Sequence, residues 1–263
     1  MGKFNSKDLK TMIRFLLTAI ISLLLTSCFD KPTPESSNKG ENSLPTDSTK
    51  KIAILLYDGF TMLDVIGPTQ SLGLLENISL ITVAKEKGLI TSDNGLQLNA
   101  AYSIKDIKSA YILIIPGGLE GTIKASKDTT LINWIKQIDK TTEFTTSVCT
   151  GAWILASSGL VDKRKIATHW YGKEILESKG AIYSSERYIF DGKYVTSAGV
   201  SAGIDLGLAL VARISGAEYA KAVQLGLQYD PKPPFNSGTP ETADTSITNM
   251  MRQMYDYSIK NLK

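Results

Sequence analysis

From residue 51 onward, short and nearly unbroken apolar runs alternate with stretches whose apolar positions follow a helical spacing. KIAILLY (51–57), ISLITVA (78–84), AYILIIP (110–116) and TEFTTSV (142–148) have strand length and many β-branched residues. Runs apolar on both faces suit strands of a parallel sheet covered on each side by helices. Helical patterns fall at about 64–76, 128–140 and 150–159, and Asp128 or Thr129 is placed to cap the second. Within Gly88–Leu98, Asn94-Gly95 marks a β-hairpin inserted before the third main strand. Downstream come a short strand at 165–168, a helix at about 170–178, and paired strands at 181–183, 186–190 and 193–197. Asp191-Gly192 makes the turn between the last two of these. Two more helices run from about 202 to 214 and 216 to 228. This alternation predicts one α/β domain over 51–263, a doubly wound, mostly parallel sheet in a flavodoxin-like three-layer sandwich.

The N-terminus has a different pattern. Residues 1–14 are polar and basic, and Phe15 to Thr26 is an apolar run too short to span a bilayer as a helix. That run has the length of a signal-peptide core. It ends in Leu25-Thr26-Ser27-Cys28, which resembles the lipobox of bacterial lipoproteins. The resemblance implies removal of residues 1–27, acylation of Cys28, and a domain held at the membrane in the periplasm or at the cell surface. Residues 28–50, rich in Pro, Ser, Asn, Lys and Glu, read as a tether that cannot bury enough surface to fold.

Charge changes the picture only by its location. The formal net charge of the 263 residues is +3. Residues 1–27 carry four basic and one acidic side chain, which leaves 25 of each sign in the remainder. A neutral domain has no electrostatic footprint for nucleic acid, so that class of partner is excluded. Of the two cysteines, Cys149 has no intramolecular partner if Cys28 carries lipid. No Cys/His cluster has metal-ligand spacing, and the glycine-rich pieces lack the dinucleotide and P-loop patterns, so no metal or cofactor is expected.

Three strand ends carry candidate chemistry: Thr61 to Asp64 with Gly67-Pro68, Pro116-Gly117-Gly118, and Ser147 to Ala152. Open parallel sheets place ligands outside the carboxyl ends of their strands. In the third segment a strand feeds straight into a helix, so Cys149 sits on a turn of the nucleophile-elbow kind. The helix start is expected to lower the thiol's pKa. Amides of Gly118 and Thr150, with Gly117 and Gly151 beside them, are candidates to hold developing charge on a substrate. The bland alternative is a buried structural cysteine.

LDVIGP (63–68), IPGG (115–118), TSVCTGAWILASSGL (146–160), ATHW (167–170), SAGID (201–205) and VQLGLQYDPKPPFNSGTPETA (223–243) together resemble the ThiJ/PfpI superfamily. That superfamily has the class I glutamine-amidotransferase-like fold, and within it these stretches are similar to bacterial isonitrile hydratases. The resemblance implies that Cys149 is a nucleophile with Asp64 and Thr150 as its partners, and that the protein is a homodimer. Most of the superfamily carries glutamate where this chain has Asp64. From spacing alone Asp64 is equally a helix cap or an acid, and its pKa as an acid would rise through burial and a neighbouring anion. The sole histidine, His169, is expected to be structural or pocket-lining, which disfavours a Cys-His protease. Trp134, Trp153 and Trp170 read as core residues, and Met250, Met251 and Met254 as a packing or dimer stripe.

The expected activity is hydration of an isonitrile to an N-substituted formamide, without a cofactor. Two alternatives stand beside it: glyoxalase-like chemistry on a reactive carbonyl, and a redox- or ligand-sensing module without turnover. Similar domains form the input halves of AraC-type regulators, and the sequence beyond Pro240-Glu241-Thr242 is short for an added helix-turn-helix pair.

Overall fold

In the computed structural model, which describes residues 49–261, the four apolar runs become neighbouring parallel strands. The signal segment, Cys28 and all but the last two residues of the tether (Thr49 and Lys50) lie outside the described residues. Strands β1 (Lys50–Leu55), β2 (Ile78–Ala84), β5 (Tyr102–Ser103), β6 (Ile112–Ile115), β7 (Phe144–Val148), β10 (Tyr188–Asp191) and β11 (Tyr194–Ser197) form the main sheet in the order β10-β11-β7-β6-β1-β2-β5. All pairings in it are parallel except β10 with β11, which joins through the Asp191-Gly192 turn.

Alternation along β1 shows why its run is apolar throughout. Ala53 and Leu55 pack on one face with Leu113, Ile115, Trp134, Ile135 and Trp153. Ile52 and Ile54 pack on the other with Val65, Leu72, Ile114, Leu206 and Leu210. The first face is covered by α2 (Glu120–Lys127), α3 (Thr129–Asp139), α4 (Gly151–Ser157) and α5 (Lys173–Glu177). The second is covered by α1 (Met62–Leu72), α6 (Ala202–Ser215) and α7 (Ala217–Gly226). The fold is therefore a three-layer α/β sandwich of flavodoxin-like type.

Local chemistry explains the element boundaries. Asp128 caps α3, its side chain accepting from the amides of Thr130 and Leu131. The expected hairpin is β3 (Gly88–Thr91) with β4 (Gln97–Ala100), set apart from the main sheet.

Three details differ from the pattern. The strand at 182–184, β9 (Ile182–Ser184), pairs not with β10 but in parallel with β8 (Lys165–Ala167). On β8 the amides of Lys165 and Ala167 are satisfied by the side chains of Asp191 and Thr196, which leaves its other edge for β9. The stretch 170–178 divides into a 3₁₀ turn at Trp170–Gly172 and α5. Two helices also went unanticipated: α2, whose eight residues carry few apolar side chains, and α8 (Thr245–Lys260), which has no buried residue. Among the described residues no helix is long and apolar enough to cross a membrane.

Candidate active site

The ends of β1, β6 and β7 meet at one point, and glycine makes that meeting possible. Asp64 lies in the first turn of α1, behind the cap position held by Thr61, so its carboxylate is not a helix cap. Instead its Oδ2 accepts the Gly117 amide at 2.8 Å. A Cβ on Gly117 would stand 2.7 Å from both the amide nitrogen and the Oγ1 of Thr150, and 2.8 Å from Asp64 Oδ2. No side chain fits there. At Gly151 a Cβ would come within 2.2 Å of the Ile115 carbonyl, so the first turn of α4 lies directly against the end of β6.

Cys149 links β7 to α4 with a left-handed backbone, φ +58°. That conformation is costly for a residue with a Cβ and persists only where surrounding bonds fix it. Here the Cys149 amide donates to the Ala198 carbonyl at 2.8 Å, and its carbonyl accepts the Thr168 hydroxyl at 2.8 Å. The elbow is thus pinned from both sides.

The amides near the sulfur are already assigned within the protein. Gly117 serves Asp64, and the Gly118 amide donates to Thr150 Oγ1 at 3.0 Å. Gly118 lines the cavity described below, whereas Gly117 and Gly151 pack behind it. The amide and hydroxyl of Thr150 are the donors that lower the Cys149 pKa.

Electrostatics at the pair run opposite to one expectation and along another. Burial, followed by the Asp64 charge, raises the Cys149 pKa well above its ordinary value, and the helix start does not reverse this. A seven-residue helix is a weak counterweight to the loss of water around an anion. Asp64 is fully buried, and burial pushes its pKa up to about 8, with the Asp93 charge adding to the rise. Gly117 and Cys149 act in the opposite direction. Its Oδ1 has no hydrogen-bond partner.

A cavity of about 450 Å³ opens above the sulfur, lined by Cys149, Thr150, Gly118, Thr61, Asp93, His169 and Tyr255 among others. His169 is uncharged at neutral pH, burial lowering its pKa to about 4. Its ring meets Tyr255 of α8 edge-on at 5.5 Å between centroids, and Trp170 and Tyr171 pack against Tyr255 in turn.

Asp93 and Tyr255 were not identified from the sequence. Asp93 lies in the turn of the β3–β4 hairpin, where Phe60 bridges to Ser92 and the Thr61 hydroxyl donates to Asp93 at 2.5 Å. The Asn94-Gly95 signal located the turn, but nothing in it pointed toward the site. Among the described residues, no group of three or more His, Cys, Asp or Glu is placed to hold a metal ion.

These features define an α/β sandwich with a cysteine-bearing elbow at the carboxyl edge of its parallel sheet. The model of the DJ-1/PfpI family matches residues 50–213, and the chain belongs to that family. It is 33% identical over 210 residues to the isonitrile hydratase of Pseudomonas putida, covering 80% of this chain and 92% of that protein. A ThiJ/PfpI family protein from Pseudomonas syringae has a similar structure, with a TM-score of 0.78 and 32% identity over 90% of this chain and 96% of that one. The HTH-type transcriptional regulator CdhR of Pseudomonas aeruginosa is 25% identical over 182 residues, which are 66% of this chain and 53% of the regulator.

Proposed function

We propose that the protein hydrates an isonitrile to an N-substituted formamide, with Cys149 as nucleophile and Asp64 as proton shuttle. The observation that carries this reading is a buried carboxyl group with a pKa of about 8 beside a cysteine at the floor of a cavity. At neutral pH Asp64 holds a proton, which removes its charge from the sulfur; burial still favours the thiol, and the Thr150 donors stabilise the minor thiolate population that reacts.

The thiolate adds to the terminal isonitrile carbon, and Asp64 delivers its proton to that carbon, giving a thioimidate. Water then adds to the same carbon; the Asp64 carboxylate takes one of its protons and passes it to the nitrogen. In the last step the carbon–sulfur bond breaks, the hydroxyl becomes the formyl carbonyl, and its proton returns to Asp64. One water is consumed, and thiolate and acid are regenerated. A carboxyl group whose pKa lies near the working pH suits both directions of this transfer. The likeness to the isonitrile hydratase adds support.

The test is formamide release from an alkyl isonitrile by the purified protein, measured beside methylglyoxal turnover. No formamide from the wild type, or undiminished formamide from Cys149→Ala, sinks the proposal, and methylglyoxal turnover in its place would favour the carbonyl chemistry. Lipid anchoring at Cys28 and a homodimeric assembly belong to the same reading. Fatty-acid labelling lost in Cys28→Ala and sedimentation of the purified protein check them.

A further inference from the structure

Thr150 is the first member of a longer chain of hydroxyls. Its Oγ1 lies 2.9 Å from Thr122 Oγ1, and both residues are buried. Thr122 Oγ1 is in turn 3.0 Å from the Tyr57 hydroxyl, which donates to the Pro116 carbonyl at 2.7 Å. These residues come from different parts of the fold: Tyr57 follows β1, Thr122 is in α2, and Thr150 caps α4.

Each hydroxyl has a single hydrogen, and a carbonyl only accepts. Tyr57 gives its hydrogen to Pro116, so it must accept from Thr122. Thr122 has then used its hydrogen and must accept from Thr150. Thr150 also accepts the Gly118 amide. In this arrangement every hydrogen points away from Cys149, and Thr150 offers the sulfur only its backbone amide. The opposite arrangement runs from Tyr57 to Thr122 to Thr150 and on to Sγ of the adjacent Cys149, for which the Thr150 hydroxyl is a donor. It leaves the Pro116 carbonyl without the Tyr57 hydrogen. The two differ by rotation of three hydroxyl hydrogens, with no heavy atom displaced.

We propose that Tyr57 and Thr122 form a two-way hydroxyl relay that positions the Thr150 hydrogen, directed away from Cys149 when it is a thiol and toward it when it is a thiolate. Both are positioning residues, acting through Thr150. The anchoring bond to Pro116 biases the relay toward the thiol, and turning it forfeits that bond. The inference rests on the reading of Cys149 as the reactive thiol but not on the identity of its substrate.

The experiment is the pH dependence of Cys149 alkylation by iodoacetamide in the full chain, read by peptide mass spectrometry so that only this cysteine is counted. Tyr57→Phe removes the anchor from both states, and the Cys149 pKa is expected to fall by about half a unit to one unit, the size of one net hydrogen bond. Thr122→Val removes the acceptor that draws the Thr150 hydrogen away and is expected to shift the pKa in the same direction. Thr122→Ser restores the hydroxyl and returns the wild-type profile. A purely structural role for these side chains would lower thermal stability and leave the pKa unmoved or raised. An unmoved or raised pKa in Tyr57→Phe, or in Thr122→Val should the first variant not fold, overturns the relay. The alkylation profile is independent of formamide production, so failure of isonitrile hydration and failure of the relay are distinguishable.

Discussion

Replacing Asp64 by asparagine should inactivate the protein and yet make it more stable at neutral pH. In the folded state the Asp64 carboxyl is raised from an ordinary 3.8 to about 8. Between those values the folded protein keeps a proton that the unfolded chain has released. Stability from this group is therefore complete below about pH 4, is lost as pH rises toward 8, and is flat above that. Each pH unit in the window corresponds to about 1.4 kcal/mol, so by pH 7 the loss is on the order of 4 kcal/mol. Asparagine is neutral throughout and can still accept the Gly117 amide. Its new NH₂ group, however, occupies the position where Asp64 Oδ1 has no partner, and an unsatisfied buried donor costs about 1–3 kcal/mol. The net expectation for Asp64→Asn is a gain of about 1–3 kcal/mol at pH 7, with the two stability curves crossing between about pH 4.5 and 6. Urea unfolding of both proteins at intervals from pH 4.5 to 8 measures this directly. Parallel pH curves, or a variant less stable than wild type at pH 7, would refute the assignment of a protonated buried carboxyl.

Other consequences are open to measurement. Asp93→Asn removes a like charge that raises the Asp64 pKa, so the alkaline limb of formamide production should move to lower pH; an unmoved limb would separate Asp93 from the pair. Gly117→Ala forces a Cβ against Thr150 and Asp64, and should cost about 1–3 kcal/mol in unfolding experiments and about a hundredfold in turnover. Near-wild-type activity there would mean that the strand ends are not held as tightly as described. Tyr255→Ala removes the wall contributed by α8, so alkylation of Cys149 by bulky maleimides should accelerate severalfold relative to iodoacetamide; an unchanged ratio would place the entrance elsewhere.

Much of the framework was legible because burial on both faces writes itself into the chain as unbroken apolar runs. KIAILLY, ISLITVA and AYILIIP each gave a strand of the parallel sheet, and Asp128 announced the start of α3. Cys149 was legible as an elbow because a strand run ends one residue before it and a helical pattern begins right after. Features made by residues far apart in sequence were not legible. Partner choice by β9 depends on Asp191 and Thr196 satisfying the amides of β8. The Cys149 pKa depends on how completely water is excluded, which no local pattern encodes, so reasoning from the helix end alone gave the wrong direction. Asp64 looked equally like a cap or an acid until the Gly117 amide was seen to occupy it.

The β3–β4 hairpin is separate from the main sheet, yet its turn brings the Asp93 charge to the edge of the Cys149–Asp64 pair. Adjusting the proton affinity of Asp64 therefore requires no change among the packed strands. A substitution at one exposed turn position shifts the acid while the framework stays intact.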